Sequence, residues 1–143
     1  MFDNILLAYD ESKEAEHALE SAISLAKTLR SKLTIVTVVE ALPGYTAMAA
    51  LVDPNLPNEI LEEKRDRLQS LQKTAIKRAL DSGITADAVL VDGEEVESII
   101  ETAKRDRADL LVIGLRKHVA FELVSGTAHH LAQQSPCPLL AVS

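Results

Sequence analysis

Apolar residues in this chain fall into five short, nearly unbroken runs, and between the runs they recur every three or four positions. Ile5 to Tyr9 is the first run, closed by polar residues on both sides, the pattern of a strand buried on both faces. Behind it Ala15, Ala18, Leu19, Ala22, Leu25, Ala26 and Leu29 trace one face of a helix, with Ser12 placed to cap its start. Leu33 to Val39 predicts a second buried strand. From Glu40 to Asn58 the pattern lapses. Three prolines and Gly44 mark a long, rather apolar loop of the kind that forms lids or binding segments. Helical spacing resumes over Glu59 to Ser82 through Ile60, Leu61, Leu68, Leu71, Ala75 and Leu80, and Gly83 is the stop. The charged run Glu62 to Arg67 reads as a solvated face laced by i, i+4 pairs. Ala86 to Val91, Leu110 to Ile113 and Leu139 to Val142 are further strands. The helices between them are carried by Val96, Ile99, Ile100 and Ala103, opened by Gly93, and by Thr127 to Gln134.

Parallel strands need crossovers, so this alternation predicts a parallel sheet with helices on both faces. The expected fold class is α/β, a doubly wound five-stranded parallel sheet in one domain over residues 1–143. Ligands of such sheets bind beyond the carboxyl ends of the strands, where strand order reverses. The search narrows to Tyr9, Asp10 and Ser12 after the first strand, the long loop after the second, Asp92 and Gly93 after the third, and Gly114 to Thr127 after the fourth.

Of the 143 residues, 47% are hydrophobic, enough for a sizeable core. The net charge of −7 repels polyanions and excludes nucleic acid as a partner, while leaving room for a small anion in a local pocket. No run approaches the roughly 18 apolar residues of a membrane span, and no basic segment precedes the first apolar run. The expectation is a cytoplasmic protein without membrane insertion. The one cysteine, Cys137, lies between Pro136 and Pro138, which excludes an internal disulfide and a CxxC site.

The fourth loop carries the most distinctive chemistry. Gly114 lacks a Cβ and lets backbone approach a ligand, and Gly126-Thr127 stands where a helix begins and presents free N–H groups. Arg116 and Lys117 add two positive charges, suited to a di- or triphosphate. A plainer reading stays open: a turn glycine, a capping threonine and a solubilising pair.

Four segments resemble the universal stress protein family. They are Ile5-Leu6-Leu7-Ala8-Tyr9-Asp10-Glu11-Ser12, Val38-Val39-Glu40, Asp109-Leu110-Leu111-Val112-Ile113-Gly114 and Cys137-Pro138-Leu139-Leu140-Ala141-Val142. Members that bind ATP typically carry Gly-x2-Gly-x9-Gly-Ser/Thr in the fourth loop. Here the pattern is Gly114-x2-Lys117-x8-Gly126-Thr127, with lysine for the second glycine and a spacer one residue shorter. One subclass that lacks the glycines holds no nucleotide. Another, with a basic residue there and the shorter spacer, looks nucleotide-competent, and the Leu42-Pro43-Gly44-Tyr45 to Leu56-Pro57 segment resembles it.

The resemblance implies an adenine nucleotide, ATP or else ADP or AMP, with or without Mg2+. Adenine would lie against Val38 and the backbone of Ala8 and Tyr9, with the Asp10 carboxylate near base or ribose. Ile113 and Gly114 would line the middle, and Arg116, Lys117, Gly126, Thr127 and Ala128 would hold phosphates. Helix capping for Asp10 and core packing for Val38 remain alternatives. The family's Gly-x-Pro after the third strand is Gly93-Glu94-Glu95 here, without the proline that fixes a helix start. Family members commonly pair as homodimers through the terminal strand, here Leu139 to Val142.

Other chemistry is thin. His129 and His130 are adjacent on a helix, about 100° apart, and make no shared metal site. Cys137 has no evident activating base. A phosphorelay receiver would match Asp10-Glu11 and Asp92 but needs a lysine after its last strand, where Ala141-Val142-Ser143 stand. With no nucleophile–base pair or Walker lysine motif, no catalytic residue is assigned, and the chain reads as a stress-response or regulatory binding protein with at most slow ATP hydrolysis. The alternative is a nucleotide-free interaction module of the same fold.

Overall fold

Leu7 is fully buried, and β1 (Asn4–Ala8), the strand that carries it, is flanked on both sides by other strands. The computed structural model describes residues 1–42, 44, 46–116 and 126–143. After β1 come α1 (Lys13–Leu29), β2 (Lys32–Val39), α2 (Thr46–Val52), α3 (Leu56–Asp81), β3 (Ala86–Asp92), α4 (Glu95–Arg105), β4 (Leu110–Gly114), α5 (Thr127–Gln134) and β5 (Leu139–Val142). The five strands are parallel in the order β3-β2-β1-β4-β5. The chain winds from β1 outward to β3, then returns past β1 to wind outward again through β4 and β5.

Alternation along the strands divides the interior in two. Ile5, Leu7, Leu33, Ile35 and Val112 face α1 and α3, where Ala18, Leu19, Ala22, Ala75 and Ala79 are buried. Leu6, Val36, Leu111 and Ile113 face α4 and α5, against Ile99, Ile100, Ala103 and Leu131. Burying one such Leu or Ile stabilises by about 1.5–3 kcal/mol, whereas an exposed ion pair contributes about 0–1 kcal/mol. The two apolar layers therefore hold the fold together. Among the described residues no helix is long and apolar enough to cross a membrane.

Helix starts follow local chemistry. The Ser12 hydroxyl accepts from the Ala15 N–H at 3.1 Å, as its sequence position predicts. At α4 the missing proline is replaced by a side-chain cap, because the Glu94 carboxylate accepts from the N–H groups of Val96 (3.1 Å) and Glu97 (2.8 Å). Gly83, with φ +89°, follows the end of α3 and permits the left-handed turn there.

Several expectations need correction. The long loop contains a helix, α2, because Ala47 to Val52 holds good helix formers free of proline. The next helix begins at Leu56 and takes Pro57 into its first turn, where a missing N–H costs nothing. Leu80 is 61% exposed, since the buried stripe of α3 runs through Leu68, Gln72, Ala75 and Ala79 and points about 100° away from it. Leu29, at the end of α1, is also exposed. The charged run of α3 forms long-range pairs in place of local ones. Arg65 meets Asp92 beyond β3, and Arg67 meets Glu11 beyond β1 at 2.7 Å.

Gly114 closes β4 against the first turn of α1. A Cβ there would lie 2.8 Å from both the Ala15 nitrogen and the Glu14 carbonyl carbon, which are backbone atoms unable to step aside. Gly114→Ala is expected to destabilise the fold by about 1–3 kcal/mol, read as a melting temperature lowered by several degrees. An unchanged melting temperature would show that α1 can slide away from β4.

Candidate functional site

Strand order reverses between β1 and β4, and a cavity of about 690 Å3 opens beyond their carboxyl ends. Its floor is made by Ala8, Val36, Val38 and Ile113 at the strand tips. Three helices begin on its rim: α1 at Ser12, α4 at Glu95 and α5 at Gly126, Thr127 and Ala128. Lys64 and Leu68 of α3 line it as well.

Ten of the expected site residues line this one cavity: Ala8, Tyr9, Asp10, Val38, Ile113, Gly114, Arg116, Gly126, Thr127 and Ala128. Lys117 lies outside the described residues. Placement refines what each can contribute. The Tyr9 hydroxyl donates to Glu16, which also receives Arg78, so the phenol is engaged within the protein. Burial, then Glu16, raises the Tyr9 pKa, and it stays protonated. The Asp10 carboxylate accepts from the Ser12 N–H at 2.8 Å, the helix-lead role, while still bordering the cavity. Gly114 is required by α1 as well as bordering the cavity, and Thr127 is the first residue of α5, with Gly126 at the capping position.

The helix ends differ in a way that matters for anions. Ser12 caps α1 and Glu94 caps α4 with side-chain oxygens, but glycine at the start of α5 has no side chain to offer. Among the described residues no side chain caps the first-turn N–H groups of α5. Of the described part of the long loop, Glu40 lines the cavity, and α2 exposes Met48, Leu51 and Val52.

Three groups at the cavity escape a reading of motifs. Thr37 is 2% exposed, lines the cavity, and its Oγ1 is the one buried side-chain polar atom without a hydrogen-bond partner among the described residues. Glu95 is half-buried, and its pKa is raised by burial, then by Glu40 and Asp10. Lys64 brings a cation from α3. The signal for Thr37 was a hydroxyl inside an apolar run, and for Glu95 a carboxylate standing where the resembled pattern has proline.

Rival chemistry stays apart from the cavity. His129 and His130 meet edge-on with ring centroids 5.8 Å apart, and no group of three or more His, Cys, Asp or Glu among the described residues is placed to hold a metal. Burial raises the Cys137 pKa and keeps it a thiol.

The universal stress protein family model matches residues 1–143. The chain belongs to the universal stress protein family. A relative from Thermus aquaticus, the universal stress protein in the QAH/OAS sulfhydrylase 3′ region, is 31% identical over 99% of each chain. Among solved structures, a universal stress protein in complex with cAMP is similar at TM-score 0.73 and 21% identity, covering 99% of this chain and 97% of that one. The Archaeoglobus fulgidus universal stress protein in complex with dAMP aligns at TM-score 0.70 and 17% identity, over 99% and 98%. At these identities the structures share the fold of this universal stress protein.

An orphaned buried hydroxyl costs about 1–3 kcal/mol. Thr37→Val keeps the shape and removes the polar atom, and is expected to stabilise the ligand-free protein by about 1 kcal/mol, or about 2–4 °C in melting temperature. A lowered melting temperature would mean that the cavity solvent already satisfies Thr37.

Proposed function

We propose that this universal stress protein binds an adenine nucleotide, ATP or ADP, in the cavity at the β1/β4 switch point, and acts as a regulatory or stress-response protein whose surface depends on occupancy. One observation carries this reading. Of the three helices that begin at the cavity, α5 alone starts at a glycine, with Arg116 lining the same space, and no side chain among the described residues caps its first-turn N–H groups, where phosphates would sit. Val38, Ala8 and Ile113 give the other end an apolar surface for a base, and Thr37 leaves a hydroxyl in need of a partner. The cAMP and dAMP complexes of proteins with this fold support adenine as the base.

Were Mg2+ to accompany the phosphates, the Asp10 carboxylate, which borders the cavity beyond β1, would be a hard oxygen donor for it, and the ion would supply neutralisation of phosphate charge. Among the described residues the cavity holds no paired nucleophile and base, and we assign it binding.

Ligand at about 100 times its dissociation constant stabilises by roughly 2.7 kcal/mol, which for a chain of this size is on the order of 5–10 °C. Thermal melts with excess ATP, AMP and adenosine are expected to show the largest shift for ATP, and Gly126→Val is expected to abolish the ATP shift while the variant still melts cooperatively. No shift with any of the three would leave the nucleotide-free interaction module as the better reading.

The same proposal includes a homodimer through β5. This strand is a sheet edge, and its Leu140 and Ala141 are exposed. Unpaired edges recruit strands from other chains. Leu140→Lys is expected to shift the protein from dimer to monomer in sedimentation velocity. A monomeric wild type, or a dimer indifferent to the lysine, would place the interface elsewhere.

A further inference from the structure

Resting on the nucleotide reading, a second question concerns how an acidic cavity accepts a polyanion. The Thr127 hydroxyl, the one side-chain donor on the first turn of α5 among the described hydrogen bonds, points to the Glu95 Oε2 at 3.4 Å. Glu95 is the first residue of α4, so the starts of α4 and α5 meet through this contact. Its carboxylate is thereby held beside the first turn of α5, where a phosphate at that helix start would also lie. The other charged groups around it are largely of the wrong sign. Asp10 beyond β1, Glu40 beyond β2 and Glu94 on the same helix start act on Glu95 directly. Glu11 and Glu14 of the β1–α1 segment line the cavity as well. Against them stand Arg116 beyond β4 and Lys64 of α3, while His130 of α5 acts on Glu94.

A phosphate placed at α5 would face an ionised Glu95 at close range in a half-buried site, where like charges repel strongly. One proton resolves the conflict. A neutral Glu95 carboxyl keeps an acceptor for Thr127 and can donate its own hydrogen bond to the phosphate oxygen. We infer that Glu95 makes phosphate recognition proton-linked: a phosphate-bearing nucleotide enters with transfer of one solvent proton to the Glu95 carboxylate, whereas the bare nucleoside enters without it. Burial and the carboxylates of Glu40 and Asp10 already favour that proton in the empty site. Because the resembled family pattern has proline here, this control belongs to the chain's own residue.

Isothermal titration of wild type with ATP and with adenosine, near pH 8 where the ATP phosphates are already ionised, tests the inference. Each titration is repeated in two buffers of different ionisation enthalpy, so that the buffer dependence counts protons taken up. ATP is expected to bind with net uptake and adenosine with none. Glu95→Gln, a neutral isostere that keeps an acceptor for Thr127, is expected to abolish the uptake and to bind ATP several-fold more tightly than wild type at this pH. Equal uptake in wild type and Glu95→Gln, or weaker ATP binding by the variant, would overturn the role of Glu95 while leaving the nucleotide site standing. Binding of neither ATP nor adenosine would overturn both.

Discussion

Everything at the site depends on one constraint, the position of β1 between β2 and β4 in an all-parallel sheet. Parallel neighbours cannot be joined by a tight turn, so each step outward requires a crossover helix. The chain winds from β1 to β3 on one side and from β4 to β5 on the other. Crossovers therefore leave the β1 and β4 tips toward opposite faces of the sheet, with α1 packing with α3 and α4 with α5. No helix can cover both tips. The cavity is the space left by that divergence, and the same geometry aims the starts of α1, α4 and α5 at it.

An anion site in a chain of net charge −7 is then a matter of range. Exposed charges farther than about 8–10 Å from a ligand are largely screened at physiological salt. What would decide binding is local: the first turn of α5, which no described side chain caps and which is worth about half a positive charge, and the cations Arg116 and Lys64. These stand against the carboxylates of Asp10, Glu11, Glu14, Glu40 and Glu95 in the same cavity, which is why the proposed reading turns on the protonation of one glutamate.

Sequence pattern made most of the fold legible because parallel strands buried on both faces are nearly pure apolar runs. The α5 and β5 bounds follow directly from it, and β1 to β4 differ by a residue or so at their ends. Legibility failed where periodicity carries little information. α2 is a short helix with apolar residues on the exposed side, so it offers no amphipathic stripe to detect. Leu80 was misplaced because a long helix with many exposed positions fixes its phase only through contacts, here with Gln72 and Ala79 on the buried side. Arg65 and Arg67 find partners 27 and 56 residues away, a separation that no local pairing rule covers. The strand-end rule brought ten of the proposed site positions into one cavity, but Thr37 and Glu95 are matters of burial, which a sequence does not display.

The start of α4 illustrates how a departure from a family pattern can be compensated and reused at once. Proline at a first helical position sets the backbone angle and removes one N–H that would otherwise be unpaired. Glu94 and Glu95 divide that work differently. Glu94 takes two first-turn N–H groups onto its carboxylate, which lowers its own pKa and quenches the positive end of α4. Glu95 is thereby released from capping and turned toward Thr127 across the cavity. The outcome is an asymmetry between two converging helix starts, with α4 neutralised and α5 open. On the proposed reading, that asymmetry assigns phosphate to the α5 end of the cavity, and among the described hydrogen bonds the carboxylate that meets that end belongs to Glu95, where the resembled pattern has proline.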